Sequence, residues 1–358
     1  MASALTFTNH RQDPAAWARK LGISSEAVAL YLACEVIDLH TDSFLWQRLS
    51  PYRLDKHHGI PPWGARFGGQ VDLPRVLEAA MTGLVWDIPA NPLLPKARKY
   101  GAVRQLISNM LSTFAPYAEH FAHVVSYADY QQARARGQVA CWLSIQGGQA
   151  LDHNLHDLAR IPEIHRITLV HLTRSRIGAS NIHPLQAHIG LSPYGRDFVA
   201  RLAELRILVD LSHINRRGFF DALDALPTGV PPVVTHTGVK GVCDIWRNID
   251  DVQIRAIAER NGTIGIIYER NFLARRKQEQ TLERIIDHLA HVIQIAGEDF
   301  ASLGSDYDGM ISLPRDFPDI TWQPVLVQRM LDRGWSETRI RKILGQNFLR
   351  VIATVRPN

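Results

Sequence analysis

Short apolar, β-branched runs along this chain keep ending in a histidine or an aspartate. Val36-Ile37-Asp38-Leu39-His40-Thr41-Asp42 is the clearest. It is followed by Ile167-Thr168-Leu169-Val170-His171, Ile207-Leu208-Val209-Asp210-Leu211-Ser212-His213, Pro232-Val233-Val234-Thr235-His236 and Phe300-Ala301-Ser302-Leu303-Gly304-Ser305-Asp306. Such runs read as strands of a parallel sheet buried on both faces, and in α/β barrels the reactive side chains sit where those strands end. Segments of this type fall at 35–39, 83–88, 139–145, 167–170, 207–211, 232–235, 263–268 and 300–303. Helical periodicity occupies 25–33 before the first strand, then 96–121, 130–136, 196–206, 218–226, 250–260 and 281–296, with 322–333 and 337–355 at the end. Alternation of strand and helix predicts parallel βαβ units, and the strand number predicts a single (β/α)8 barrel domain spanning 1–358, with a helical lead-in and C-terminal helices. The Pro- and Gly-containing stretch 50–70, with Lys56-His57-His58, reads as a long loop on the side of the barrel that carries the site.

With 46% hydrophobic content, 358 residues suffice for a core of that size. The net charge of +5 is dispersed, and its densest cluster, Arg275-Arg276-Lys277, is too short for a nucleic-acid track and reads as solvated surface. Cys34, Cys141 and Cys243 are odd in number and widely spaced. They offer neither a disulfide framework nor a metal knuckle, so they are expected as small buried apolar groups. The N-terminus has no basic segment followed by an apolar stretch, and no apolar run approaches the roughly 18 residues needed to span a bilayer. The expectation is a cytoplasmic protein with no membrane or nucleic-acid partner.

Alternation along a strand puts positions i and i+2 on one side, so His40 and Asp42 can grip the same ion. His213 and His236 each close a later strand, and two neutral imidazoles with a His/Asp pair form an N/O donor set that suits zinc better than magnesium or calcium. Either histidine alone would read as a core imidazole bonded to backbone; the shared pattern favours ligation. Asp306 lies in Gly304-Ser305-Asp306-Tyr307-Asp308-Gly309, which lacks the later ligands of a calcium loop. In a barrel the last strand neighbours the first, so Asp306 is expected to face His40 and Asp42 and to shuttle a proton there.

Ile37-Asp38-Leu39-His40-Thr41-Asp42, Gly69-Gln70-Val71-Asp72-Leu73-Pro74, Gln146-Gly147-Gly148, Leu169-Val170-His171, Val209-Asp210-Leu211-Ser212-His213, Val234-Thr235-His236, Arg247-Asn248 and Gly304-Ser305-Asp306-Tyr307-Asp308-Gly309 occur in the order seen in renal (membrane) dipeptidases. The chain resembles that family over about residues 35–355. The resemblance implies a metal-dependent-hydrolase barrel in which two zinc ions share a hydroxide that attacks a peptide carbonyl. His40 and Asp42 would hold one zinc and His213 and His236 the other. His171 would polarise the substrate carbonyl, Arg247 would take the substrate carboxylate, and Asp306 would act as general acid/base. A planar guanidinium clamps a carboxylate bidentately, and an imidazole N–H steadies a developing oxyanion.

This chain departs from the family at position 146, where a glutamate bridges both ions in Glu-Gly-Gly-His and Gln146-Gly147-Gly148-Gln149 stands here. A neutral amide bridges two cations poorly, so binding of a second zinc should weaken. One ion with an open position still lowers the pKa of bound water to about 7. After Tyr268 the chain reads Glu269-Arg270-Asn271-Phe272, with no counterpart of the family's substrate-binding tyrosine. The expected protein is a hydrolase, with one or two Zn2+, of dipeptides or similar small amides bearing a carboxylate; family analogy adds a homodimer. The competing reading is a catalytically silent small-ligand-binding protein that keeps Arg247 and the barrel mouth.

Overall fold

The computed structural model describes residues 4–49, 52–59, 64–89, 91 and 94–358. Its sheet is parallel throughout: β1 (Ile37–Thr41), β2 (Gly83–Pro89), β3 (Phe121–His123), β4 (Val139–Gln146), β5 (Ile164–Thr168), β6 (Leu208–Asp210), β7 (Val233–Thr237), β8 (Thr263–Ile266) and β9 (Ala301–Leu303). Eight of these run in the order β1-β2-β4-β5-β6-β7-β8-β9, while β3 pairs with β4 off that path. The two ends of the row meet just beyond the strands. Thr41 bridges Tyr307, the Asp42 amide donates to the Tyr307 carbonyl (2.8 Å), and the Asp306 amide donates to the His40 carbonyl (3.1 Å). The result is a nearly closed barrel of eight parallel strands wrapped by helices, the (β/α)8 class expected from the strand count.

Most element boundaries shift from the sequence reading, β1 running 37–41 against an expected 35–39, and three larger differences have a visible cause. Helix Lys96–Phe114 stops short of residue 121, because Pro116 in the following turn Ala115–Tyr117 has no amide to continue the ladder, and the chain re-extends as β3. Strand β5 begins at Ile164 instead of 167, so Leu169-Val170-His171 has left the sheet by the time it reaches the mouth. The Leu169 amide donates to Asp210 and its carbonyl accepts from Gly148, which ties this exit to both neighbours. The C-terminal helical stretch is interrupted by a π-helical turn at Lys342–Gln346, where a Cβ on Gly345 would lie 2.5 Å from the Glu35 carbonyl oxygen. Residues 44–49, just before the expected loop 50–70, form a helix, and within that loop 65–67 form a short turn; positions 50, 51 and 60–63 lie outside the described residues.

The strands are buried on both faces, as their continuous apolar character requires. At their amino ends, Phe348, Val351 and Ile352 of helix Asn347–Val355 join Trp142, Val85 and Leu208 in one apolar cluster, a floor opposite the carboxyl ends. Ser24 caps helix Ser25–Leu32 by accepting from the Ala27 amide. Cys34, Cys141 and Cys243 are free and buried, and Arg275, Arg276 and Lys277 are exposed. Among the described residues no helix is long and apolar enough to cross a membrane.

Candidate metal centre

Strand ends deliver the site residues one by one. His40 is on β1 and Asp42 immediately after it; Gln146 ends β4; His171 and His213 lie three residues past β5 and β6; His236 is on β7; Arg247 is on the loop that follows; Asp306 lies three past β9. His213 (φ 65°) and Asp306 (φ 66°) adopt left-handed backbone, a conformation that costs a non-glycine residue about 1 kcal/mol or more and tends to survive at functional sites. A second constraint is steric: a Cβ on Gly309 would sit 2.6 Å from Asp306 Oδ1 and 2.8 Å from Asp42 Oδ2, so the chain touches both carboxylates there only because this residue is glycine.

The side chains converge. His40 Nε2 lies 3.5 Å from Asp42 Oδ2, 3.5 Å from Asp306 Oδ1 and 3.0 Å from Gln146 Nε2. The His40 and His236 rings are 3.8 Å apart between centroids, and His236 directs its Nε2 at that of His213, 2.7 Å away. His171 meets the His213 ring edge-on at 4.6 Å. Arg247 is buried, donates to the His236 carbonyl (2.6 Å) and lies 3.5 Å from His213 Nε2. Ligand atoms of His40, His236 and Asp306 fall within 4.8 Å of one another. All eight positions singled out from the sequence, Gln146 included, thus share one mouth.

The electrostatics are those of a cation site. Burial, reinforced by neighbouring Arg247 and the other imidazoles, holds His213 and His236 well below the usual histidine range, so both are neutral donors. Burial likewise pushes His171 down to about 3. Burial would also depress His40, but the carboxylates of Asp87 and Asp42 outweigh it and raise the group to about 10. Burial drives Asp306 well above the carboxylate range, with Asp42 and Glu269 adding to it against His40 and Arg247. Arg247 is lowered by burial to about 10 and stays cationic at neutral pH. The buried Asp42 Oδ1 has no hydrogen-bond partner. Bare imidazole nitrogens, paired carboxylates and an orphaned carboxylate oxygen at one point fit a divalent ion of the zinc type. Gln146 meets this cluster as an uncharged amide, its Nε2 3.0 Å from His40 Nε2.

Above this cluster opens a cavity of about 520 Å3, lined by Asp42, Gln146, His171, His213, Arg247 and Asp306 together with Gln149, Glu269, Phe272, Trp246 and Met310. Gln149 donates to the His171 carbonyl (2.9 Å), which leaves its buried Oε1 without a partner. Sequence reasoning did not find Asp87 or Arg166, which lie directly behind His40. Asp87 is the single charge in an otherwise apolar strand and Arg166 a full charge in a strand buried at every position, and that incongruity was the available signal.

A family model described as membrane dipeptidase (peptidase family M19) matches residues 24–358. The dipeptidase tcpJ of Claviceps purpurea is 28% identical over 303 residues, 80% of this chain and 69% of that protein. Among solved structures, a dipeptidase of family M19 is 25% identical with a TM-score of 0.78, covering 91% of this chain and 99% of its own. A Rhodobacter sphaeroides metallopeptidase bound to a phosphinate mimic of L-Ala-D-Ala superposes with the same TM-score at 24% identity, over 90% of this chain and 99% of that one.

Proposed function

Because the chain belongs to the membrane dipeptidase family, peptidase family M19, we propose that it is a metal-dependent hydrolase of dipeptides or similar small amides carrying a free carboxylate. The observation that carries this reading is the convergence of His40, His213, His236, Asp42 and Asp306 beside the buried, unneutralised guanidinium of Arg247. His40, Asp42, His213 and His236 are the residues that would hold metal, with Asp306 beside them. A bound zinc ion would supply an activated water near neutral pH and a Lewis acid for the scissile carbonyl.

The chain's own groups account for the rest. Arg247 clamps the substrate carboxylate, and its burial strengthens that pairing by excluding water. His171, neutral at working pH, donates an N–H to the carbonyl oxygen as charge develops there. Asp306, whose carboxyl retains a proton more readily than a solvated aspartate, passes a proton to the leaving amine. Gln146 contributes no charge, so we assign one tightly held ion and a weak second one. Three free, buried cysteines accord with a reducing cytoplasmic setting.

Elemental analysis of protein purified without chelator, run beside hydrolysis of an L/D dipeptide panel, tests the reading. About one zinc per chain with turnover is expected. A chain that binds ligand but neither metal nor turns over after zinc addition would be the binding protein instead. Gln146→Glu should raise the zinc content towards two, and an unchanged ratio would remove Gln146 as its cause.

A further inference from the structure

Behind the candidate centre lies a charged group that the proposed reaction leaves unused. Arg166 of β5 is completely enclosed in the barrel. Its Nη2 donates to Asp87 Oδ2 of β2 (2.5 Å) and to Ser144 Oγ (2.9 Å). Its Nη1 donates to Asp210 Oδ2 of β6, to Thr168 Oγ1 (3.1 Å) and to Thr235 Oγ1 of β7 (3.2 Å). Both carboxylates are as buried as the guanidinium. Apolar packing of equal volume generally serves stability as well as a buried ion cluster does, so such a cluster is informative mainly for what it orients.

What it orients are two imidazoles. His40 Nδ1 lies 2.9 Å from Asp87 Oδ2, the oxygen that Arg166 also holds, and 3.2 Å from Arg166 Nη2, whose two protons are taken by the closer Asp87 and Ser144, so the Nδ1 proton of His40 is directed to Asp87. On the other side, Thr235 Oγ1 is 2.8 Å from Asp210 Oδ2 and 2.9 Å from His236 Nδ1. A hydroxyl has a single proton. With that proton donated to the Asp210 carboxylate, the Thr235 oxygen is left to accept from His236 Nδ1–H. Each ring therefore carries a proton on Nδ1, anchored to the same arginine through a carboxylate, and turns its Nε2 to the mouth. The cluster of Asp87, Arg166 and Asp210 also carries a net negative charge, placed behind a centre where Gln146 supplies none.

We propose that Asp87, Arg166, Asp210 and Thr235 are positioning residues that preset His40 and His236 as Nε2 metal donors, with Arg166 as their common anchor. This inference rests on the metal-dependent reading above. Outer partners of ligating histidines typically alter metal affinity by about 10–100-fold when removed.

The test is zinc affinity of the full chain, by competition with a chromophoric chelator, together with the absorption spectrum of the cobalt-loaded protein. Asp87→Asn should weaken zinc about 10–100-fold and shift the cobalt bands. Thr235→Val removes only the hydroxyl between Asp210 and His236. It should weaken zinc roughly tenfold, with Thr235→Ser restoring the affinity; this pair decides the matter if Asp87→Asn does not fold. A folded Asp87→Asn with wild-type affinity and spectrum, or a Thr235→Val indistinguishable from Thr235→Ser, overturns the proposal. A wild-type chain that binds no divalent ion overturns both it and the proposed function. Tight zinc binding without cleavage of any dipeptide overturns only the proposed function, and the variants still decide this one.

Discussion

His40 is where protonation and metal binding compete. In the metal-free chain its pKa is raised from 6.5 to about 10, with the cost of burial overcome by Asp87 and Asp42. A group whose pKa rises on folding adds stability that is fully present below its unfolded value and is lost as pH passes its folded one. The metal-free protein should therefore lose this contribution between pH 6.5 and about 10, seen as a falling Tm, while the zinc-loaded protein should show no such fall from His40. Zinc must displace the same proton, so binding at pH 7 should release protons and tighten as pH rises. Titration calorimetry in buffers of different ionisation enthalpy measures this, and zero proton release would contradict the assignment of His40. At Arg247 the issue is substrate charge. Truncating one partner of a buried charge pair costs about 2 kcal/mol or more, so Arg247→Ala should raise KM for a free-acid dipeptide roughly 30-fold while barely changing that for its C-terminal amide. Equal effects on acid and amide would make this arginine structural.

The loop after β9 shows how an element's backbone serves the site. Asp306, Asp308 and Met310 all have left-handed backbone, and Asp308 pins the loop to the first strand's loop by bonding Ser43 Oγ (2.5 Å) and the Gln70 amide (2.9 Å). Gly309 lies against the carboxylates of Asp306 and Asp42. In Gly309→Ala the added methyl should push one of them aside. A displacement near 1 Å at reacting groups can cost about a hundredfold in rate, so kcat should fall by about that factor with the Tm nearly unchanged. A large Tm loss with normal kcat per folded molecule would show that the glycine serves folding alone. At this scale the sequence was readable wherever an apolar run ended in a polar group, since burial on both faces and a reactive terminus leave that joint mark. It was less readable where tertiary contacts decide. Strand β3 exists because β4 offers it an edge, β5 starts early under the pull of its neighbours, and the π-helical turn at 342–346 answers to the nearby Glu35 backbone. Asp87 and Arg166 were missed for the same reason: a single charge in a strand acquires meaning only when its partner, 79 residues away in sequence, is seen across the barrel.

In the whole molecule, the cavity at the carboxyl ends of the strands has a charged base beneath an apolar rim. Its ligand-type groups and Arg247 lie deep, while Leu172, Ile182, Trp246 and Met310 line the same cavity and remain 46%, 36%, 49% and 46% exposed. Large apolar side chains exposed together around a cleft mark a surface meant to be covered. Two of them, Leu172 (φ 53°) and Met310 (φ 61°), hold left-handed backbone that a leucine or methionine would avoid in an ordinary loop. A cavity of about 520 Å3 also exceeds what the backbone of a dipeptide alone would fill. Under the proposed activity, the expected substrate places its carboxylate and scissile bond at the charged base of the cavity and a bulky apolar side chain against the rim. Covering such a side chain contributes about 1.5–3 kcal/mol, roughly tenfold to a hundredfold in kcat/KM over an alanine-containing dipeptide. Trp246→Ala should remove most of that preference while leaving the alanine-containing substrate nearly unaffected. If dipeptides with large apolar and with small side chains are cleaved equally well by the wild type, the rim is not a substrate surface.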